Sequence, residues 1–283
     1  MSQTIRVIYN QKGGVGKTTL AVNLAACSAM HGRRTLLVDS DPQGNATAYL
    51  LGLTQQPEKT LAEFYESCLH INIFRQSLFD YILHQTKIPN LHLVACNREL
   101  EDIRTKLENK HKIMKLKDGL KNNTYEEIYL DPPPANDFFS LSCLIAATEI
   151  LIPIDCDAFS IRAAQEIKNT IEEVRHDHNP NLIVKGIIVN QYQKGTKHAQ
   201  SVIKELEKIG FKILEPYIPI SVKVKESHSE VKPIVIGHPD HPVSQSIIGI
   251  YNFINNPTLD PNTAYTQNSP KKSNSASEIT PNY

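Results

Sequence analysis

What this sequence lacks narrows its reading. Its 30 basic and 30 acidic residues cancel, so no global field draws the chain to nucleic acid or to an anionic membrane, and any DNA contact has to come from a local patch. The five cysteines (Cys27, Cys68, Cys96, Cys143 and Cys156) are scattered without C-x-x-C spacing, which argues against a zinc site or a disulfide framework. No stretch approaches the roughly 20 apolar residues that a membrane span needs. Met1–Arg6 is polar and leads directly into an apolar strand, so no secretory signal is expected. His176-Asp177-His178 and His238-Pro239-Asp240-His241 lie in polar, proline-bounded loops, a setting that disfavours a metal ligand set. These absences give the expectation of a soluble, cytoplasmic protein with no membrane partner. Its 283 residues suffice for one large α/β domain or two small ones.

What the chain does contain is organised around Asn10–Thr19, N-Q-K-G-G-V-G-K-T-T. A strand-dense run, Ile5–Tyr9, precedes it, and Leu20–Ala26 follows with the composition of a buried helix. Strand, glycine loop and helix together make a phosphate loop a mechanism rather than a pattern match. Gly13, Gly14 and Gly16 let the backbone approach a ligand, and the loop N–H groups with the helix N-terminus favour an anion. On this reading Lys17 reaches the β- and γ-phosphates of ATP and the Thr18 hydroxyl ligates Mg²⁺. Val15 and Thr19 complete the cradle.

Further strands end in acids. Thr35–Val38 runs into Asp39-Ser40-Asp41-Pro42-Gln43-Gly44-Asn45. Read alone this is an Asp-Pro turn with a capping Asp. Beside a triphosphate, one carboxylate can hold a Mg²⁺-bound water and the other can orient the attacking water. Glu127–Asp131 is a strand whose last residue occupies the Walker B position, and Pro132-Pro133-Pro134 follows as a stiff loop suited to a γ-phosphate switch. Glu149–Ile154 and Leu182–Asn190 are further apolar strands. Helices are expected at Thr60–Cys68, Arg75–Gln85, Arg98–Asn109, Ala158–Arg175, Thr196–Gly210 and Ser244–Phe253, with a short strand at Leu91–Ala95. Apolar strands alternating with helices predict an α/β fold: a twisted, mostly parallel sheet with helices on both faces. From Pro257 onward the chain is polar and Pro-rich and reads as disordered. The expected organisation is one domain over 1–256 and a tail over 257–283.

The K-G-G-V-G-K-T-T string begins with Lys12 and is preceded by Gln11, where the ordinary phosphate loop has its first glycine. In this it resembles the deviant Walker A loop of the ParA/MinD family of dimeric ATPases. D-S-D-P-Q-G-N, the Asp131-Pro-Pro-Pro switch, and Ile218-Pro219-Ile220-Ser221-Val222 with Glu226 are similar to that family's later segments, so the resemblance spans roughly Ile5 to Phe253. It implies a single-domain P-loop NTPase fold and a Mg²⁺-ATPase that homodimerises around ATP. It implies that Lys12 reaches the partner subunit's nucleotide, that Asp41 serves hydrolysis, and that Asp39 lies near the metal with Thr18 and Asp131. Asn190, Pro219 and Ser221 fall where the family holds the adenine, although Asn190 also reads as an ordinary strand-end residue.

Between Lys185 and Lys232 nine lysines face five acids. Lys194, Lys197, Lys223 and Lys225 are spaced by loops, and they read either as a solvated surface or as a site for non-specific double-stranded DNA. The leading expectation is a nucleoid-associated partition ATPase whose hydrolysis is stimulated by a ParB-like protein with a basic N-terminal segment, moving a plasmid, a chromosome region or another cargo. The alternative is a positioning or scaffold ATPase acting on a protein assembly or, like MinD, a membrane. A MinD-type anchor needs an amphipathic basic C-terminal helix, which Asn262–Tyr283 is not. An iron–sulfur reductase of this fold needs cysteines at the switches, and neither Asp39–Asn45 nor Asp131–Asp137 has any.

Overall fold

A computed structural model describes residues 3–54, 57–70, 82–195 and 197–256. Eight strands form one sheet: β1 Thr4–Ile8, β2 Thr35–Asp39, β3 Leu83–Gln85, β4 Leu91–Val94, β5 Glu127–Asp131, β6 Glu149–Asp155, β7 Ile183–Asn190 and β8 Ile213–Leu214. Their spatial order is β3-β4-β2-β5-β1-β6-β7-β8. Every neighbouring pair is parallel except β3 with β4. This is the expected fold, and the parallel arrangement places the C-terminal ends of β1, β2, β5, β6 and β7 along one edge.

The strands are apolar because both faces are covered. In β1, Ile5 and Val7 face one core while Ile8 faces the other; in β5, Ile128 and Leu130 are separated in the same way from Tyr129. One core takes the helices Leu61–Leu69, Glu99–Asn109, Phe138–Ala146, Ser160–Asp177 and Lys197–Lys208. The other takes Lys17–Met30, Asn45–Leu51 and Pro242–Asn255. The helix Lys17–Met30 is buried almost all round, which is why its sequence shows little polar stripe. Thr60 caps the next predicted helix through a capping box with Glu63, and Pro242 starts the last one at the position where a missing N–H costs nothing.

Part of the expected helix at Arg75–Gln85 is corrected. Leu83–Gln85 is an edge strand, antiparallel to β4, and His84 lies 2.6 Å from the Lys59 carbonyl. Its apolar spacing fits a helix, but pairing with His92–Val94 decides the conformation. Residues 75–81 of that expectation, Thr196 and the whole tail from Pro257 lie outside the described residues. Among the described residues no helix is long and apolar enough to cross a membrane.

At the opposite edge, Arg6 is nearly fully buried and joins four elements. It donates to Glu127 on β5 and Glu149 on β6, each at 2.8 Å, to the Tyr129 hydroxyl at 3.1 Å, and to Asn255 of the last helix at 2.9 Å. Glu127 also takes Arg33 at 2.6 Å. Removing one member of a buried ion cluster leaves charge without a partner, at a cost of about 3–5 kcal/mol. Arg6→Ala is therefore expected to lower the urea unfolding midpoint by an amount equivalent to about 3 kcal/mol, whereas Arg162→Ala, which removes an exposed i,i+4 pair with Glu166, should shift it by less than about 0.5 kcal/mol.

Candidate functional site

The glycine loop leaves β1 at the sheet's C-terminal edge and is pinned from two sides. On one side the Asn10 amide donates to the Pro153 carbonyl at 2.8 Å, and the Asn10 Oδ1 accepts the Lys12 N–H at 2.9 Å. On the other, Asn190 at the end of β7 donates to the Val15 carbonyl at 2.8 Å and Gln191 donates to the Gly14 carbonyl at 2.7 Å. Gly16 has φ +91°, and a Cβ there would stand 2.2 Å from the Asn190 amide nitrogen, so both backbone conformation and contact require glycine. Gly13 and Gly14 face open space, with nothing within 4 Å of where a Cβ would stand. Lys17 opens the helix, is buried, and donates from Nζ to the Lys12 carbonyl at 2.8 Å. Burial lowers its pKa, against the pull of Asp131 and Asp41.

The acids converge on the same place. Asp39 and Asp131 are paired in register on β2 and β5, both fully buried, with Asp41 nearly so. Asp39 is well satisfied: its Oδ2 accepts the Thr47 N–H at 2.8 Å and the Thr47 hydroxyl at 2.7 Å, and its Oδ1 accepts the Asp41 N–H at 3.2 Å. Asp41 accepts the Gln43 N–H at 2.9 Å. Asp131 is the exception, because neither carboxylate oxygen has a hydrogen-bond partner. The Thr18 hydroxyl is near enough to temper its charge, but not in hydrogen-bonding geometry. Burial raises the pKa of both Asp39 and Asp131; at Asp39 the Thr47 donors oppose it and the Asp41 charge adds to it, while at Asp131 the Asp39 charge adds to it. Burial likewise raises that of Asp41, with the Gln43 N–H and Lys17 opposing.

Three buried carboxylates beside one lysine form a site short of positive charge. Among the described residues no group of three His, Cys, Asp or Glu side chains is arranged to cage a metal unaided. Mg²⁺ does not ask for such a cage, since it takes one or two carboxylates and keeps water and phosphate oxygens. The orphaned Asp131 oxygens, with Thr18 and Asp39 adjacent, fit that demand. The proline loop after Asp131 is tied at its far end by Asp137, whose Oδ1 accepts the Phe139 and Ser140 N–H groups at 3.1 and 3.0 Å.

Pro219 bridges to Tyr192: the Tyr192 N–H donates to the Ile218 carbonyl at 2.8 Å, and the Ile220 N–H donates to the Tyr192 carbonyl at 3.3 Å. The segments holding Lys194 and Ser221 therefore run side by side next to the loop. The Ser221 hydroxyl oxygen accepts the Lys223 N–H at 3.1 Å and lies 3.3 Å from His241 Nε2. Lys197 opens the helix Lys197–Lys208, inside the stretch expected to be helical, whereas Lys223 and Lys225 are in the helix Lys223–Ser229 rather than in a loop. Lys194, Lys197 and Lys225 are exposed, whereas Lys223 donates to Glu226 at 2.7 Å and lies 3.6 Å from Glu230.

Several partners were not anticipated. Lys12 Nζ donates to both oxygens of Asp155, at 2.8 and 2.7 Å, and to Asp157 at 2.5 Å. Asp155 closes β6, so the strand-end logic that picked out Asp39 and Asp131 would also have found it. His228 lies 3.1 Å from the Thr19 hydroxyl and stacks on Tyr49, ring centroids 3.9 Å apart, while the Tyr49 hydroxyl pairs with Ser227 at 2.7 Å. No sequence signal marks that cluster, since Thr19 and His228 are 209 positions apart and Tyr49 and Ser227 are 178 apart.

Comparison with known proteins places this geometry. A family model described as an AAA domain matches residues 3–184. The chromosome partitioning protein ParA of Myxococcus xanthus is 34% identical over 233 residues, covering 81% of this chain and 80% of that protein. The chromosome-partitioning ATPase Soj of Treponema pallidum is 34% identical over 238 residues, covering 83% of this chain and 89% of the relative. Among solved structures, cobyrinic acid a,c-diamide synthase of Mycobacterium smegmatis with bound ADP and magnesium superposes with a TM-score of 0.69 at 26% identity, covering 81% of this chain and 92% of that one.

A raised carboxylate pKa has a testable sign. The unfolded chain holds such an acid near pKa 3.9, so ionising Asp131 costs folded stability as pH rises above about 4. Without Mg²⁺ or nucleotide, Asp131→Asn is expected to melt above wild type at pH 8, by the equivalent of about 1–2 kcal/mol, with the gap closing near pH 4. A variant that melts below wild type at both pH values would show that Asp131 is satisfied in the folded chain.

Proposed function

Because the chain belongs to the ParA/MinD family of ATPases, we propose that it is a Mg²⁺-ATP-dependent partition ATPase that dimerises around ATP and binds double-stranded DNA in that state. The observation that carries the reading is the orphaned Asp131 carboxylate beside Asp39, Asp41 and Lys17 at the mouth of the glycine loop. In this reading the backbone of Gly13, Gly14, Val15 and Gly16 and the N–H groups of Lys17, Thr18 and Thr19 cradle the phosphates. Lys17 leaves the Lys12 carbonyl for the β- and γ-phosphate oxygens. Thr18, Asp39 and Asp131 would hold Mg²⁺, which would supply charge neutralisation for the phosphates. Asp41 orients the attacking water, and the raised pKa of its buried carboxyl suits a proton acceptor. Asn190, Pro219 and Ser221 flank the adenine, and Lys12 contacts the nucleotide held by the partner subunit.

Binding of DNA rests on the exposed lysines Lys194, Lys197 and Lys225 and, less, on Lys223, whose charge is taken up by Glu226 and Glu230. Two such weak patches joined by dimerisation gain avidity without any new contact. A ParB-like partner with a basic segment would stimulate hydrolysis, as a cation supplied in trans does elsewhere. The protein so read works in the cytoplasm on the nucleoid, with a plasmid or chromosome region as cargo.

ATP turnover with and without generic duplex DNA, together with size exclusion of wild type and Lys12→Ala, tests the cycle. Slow turnover and an ATP-dependent dimer that Lys12→Ala abolishes are expected, and a monomer indifferent to Lys12 would overturn the reading. In gel shifts with ATP, the double variant Lys194→Glu/Lys225→Glu should bind DNA at least about tenfold more weakly, with a shallower salt dependence. An ATP dimer that never shifts DNA would instead favour positioning of a protein assembly or membrane.

A further inference from the structure

Lys12 is the residue whose placement the proposed cycle explains least. Its ammonium has three protons and three oxygens within 2.8 Å, two from Asp155 and one from Asp157. Its donor capacity is saturated inside its own chain. Both acids are held in place. Asp155 ends β6, paired in register with Asn190. Asp157 uses its other oxygen to accept the Phe159 N–H and the Ser160 hydroxyl, each at 2.9 Å, an Asx turn leading into the helix Ser160–Asp177. The Lys12 backbone is fixed as well, through Asn10 to Pro153 on the same strand. Side chain and main chain are thus docked on one strand end.

We propose that Asp155 and Asp157 are positioning residues that hold Lys12 in cis, so that the lysine becomes available to a second subunit only when this ion triad opens. The inference rests on the partition reading, because it presumes that Lys12 acts across a dimer. Its physical basis is competition. Two carboxylates against one ammonium leave a net negative charge at the loop mouth, so the docked lysine adds nothing to phosphate attraction there. Released, it leaves the acids facing one another and gains a phosphate. Dimerisation is therefore opposed by the strength of the triad. The three side chains are between a quarter and two-fifths exposed, which keeps that strength modest and the latch reversible.

Asp157→Asn tests this with little risk to folding, since asparagine supports the same turn. The first readout is the rate at which Lys12 is acetylated by a soluble amine reagent, followed by mass spectrometry in the absence of nucleotide. The second is the ATP-dependent monomer–dimer constant from sedimentation equilibrium. Asp157→Asn is expected to raise Lys12 labelling severalfold and tighten the ATP dimer about fivefold, equivalent to about 1 kcal/mol. Asp157→Glu should restore both readouts. Should Asp157→Asn be silent, Asp155→Asn/Asp157→Asn removes the whole counter-charge. Unchanged labelling in that double variant overturns the latch, as does faster labelling with a dimer no tighter than wild type. Faster labelling together with a wild type that stays monomeric in ATP overturns the partition reading itself, and with it the role given to the triad.

Discussion

Everything at the functional edge follows from a shortage of positive charge. Asp39, Asp41 and Asp131 are buried where only Lys17 stands near, and the Asp131 carboxylate lacks even a hydrogen bond. Native interiors rarely leave a carboxylate in that state, since an unpartnered buried charge costs several kcal/mol. A protein keeps such an arrangement when a ligand completes it. A ligand that completes this one has to be cationic next to Asp131 and anionic next to the glycine loop, which describes a metal-bound phosphate more closely than any single ion.

The parallel sheet makes this crowding possible. Each strand delivers its last residue to the same edge, so β2 contributes Asp39, β5 Asp131, β6 Asp155 and β7 Asn190 without any long excursion of chain. The loop between them is not a free flap. Its carbonyls are held by Asn190 and Gln191 on one side, and its first residues by Asn10 on the other. A preset loop loses little entropy when a phosphate enters, which is the purpose of preorganisation.

The sequence made the central site legible because its chemistry is local. Glycine spacing, a following Lys-Thr and acids at strand ends each lie within a few residues of a recognisable strand, and the doubly covered sheet shows as uninterrupted apolar runs. The rest depends on contacts between distant segments. Leu83–Gln85 has helical spacing but is set by pairing to β4. Lys223 reads as a free cation until the helix places Glu226 and Glu230 beside it. Lys12 reads as an outward-reaching lysine, and only the fold brings Asp155 and Asp157, more than 140 positions away, onto its ammonium.

The same long-range packing ties the phosphate loop to the lysine-bearing surface. Thr19 follows the loop, Tyr49 sits in the helix after Asp41, and His228 and Ser227 belong to the helix that carries Lys223 and Lys225. Burial lowers the pKa of His228 and favours its neutral ring, so the ring lies flat on Tyr49 and shares a hydrogen bond with Thr19 without introducing a buried charge. Asn23 closes the cluster, donating to the Thr19 carbonyl at 2.8 Å and accepting the Val235 N–H at 3.2 Å. Stacked rings at van der Waals distance and satisfied polar pairs do not slide past one another by small amounts; they keep their register or exchange it. A shift of the loop or of the segment after Asp41 is therefore either carried whole into the helix of Lys223 and Lys225 or breaks the cluster.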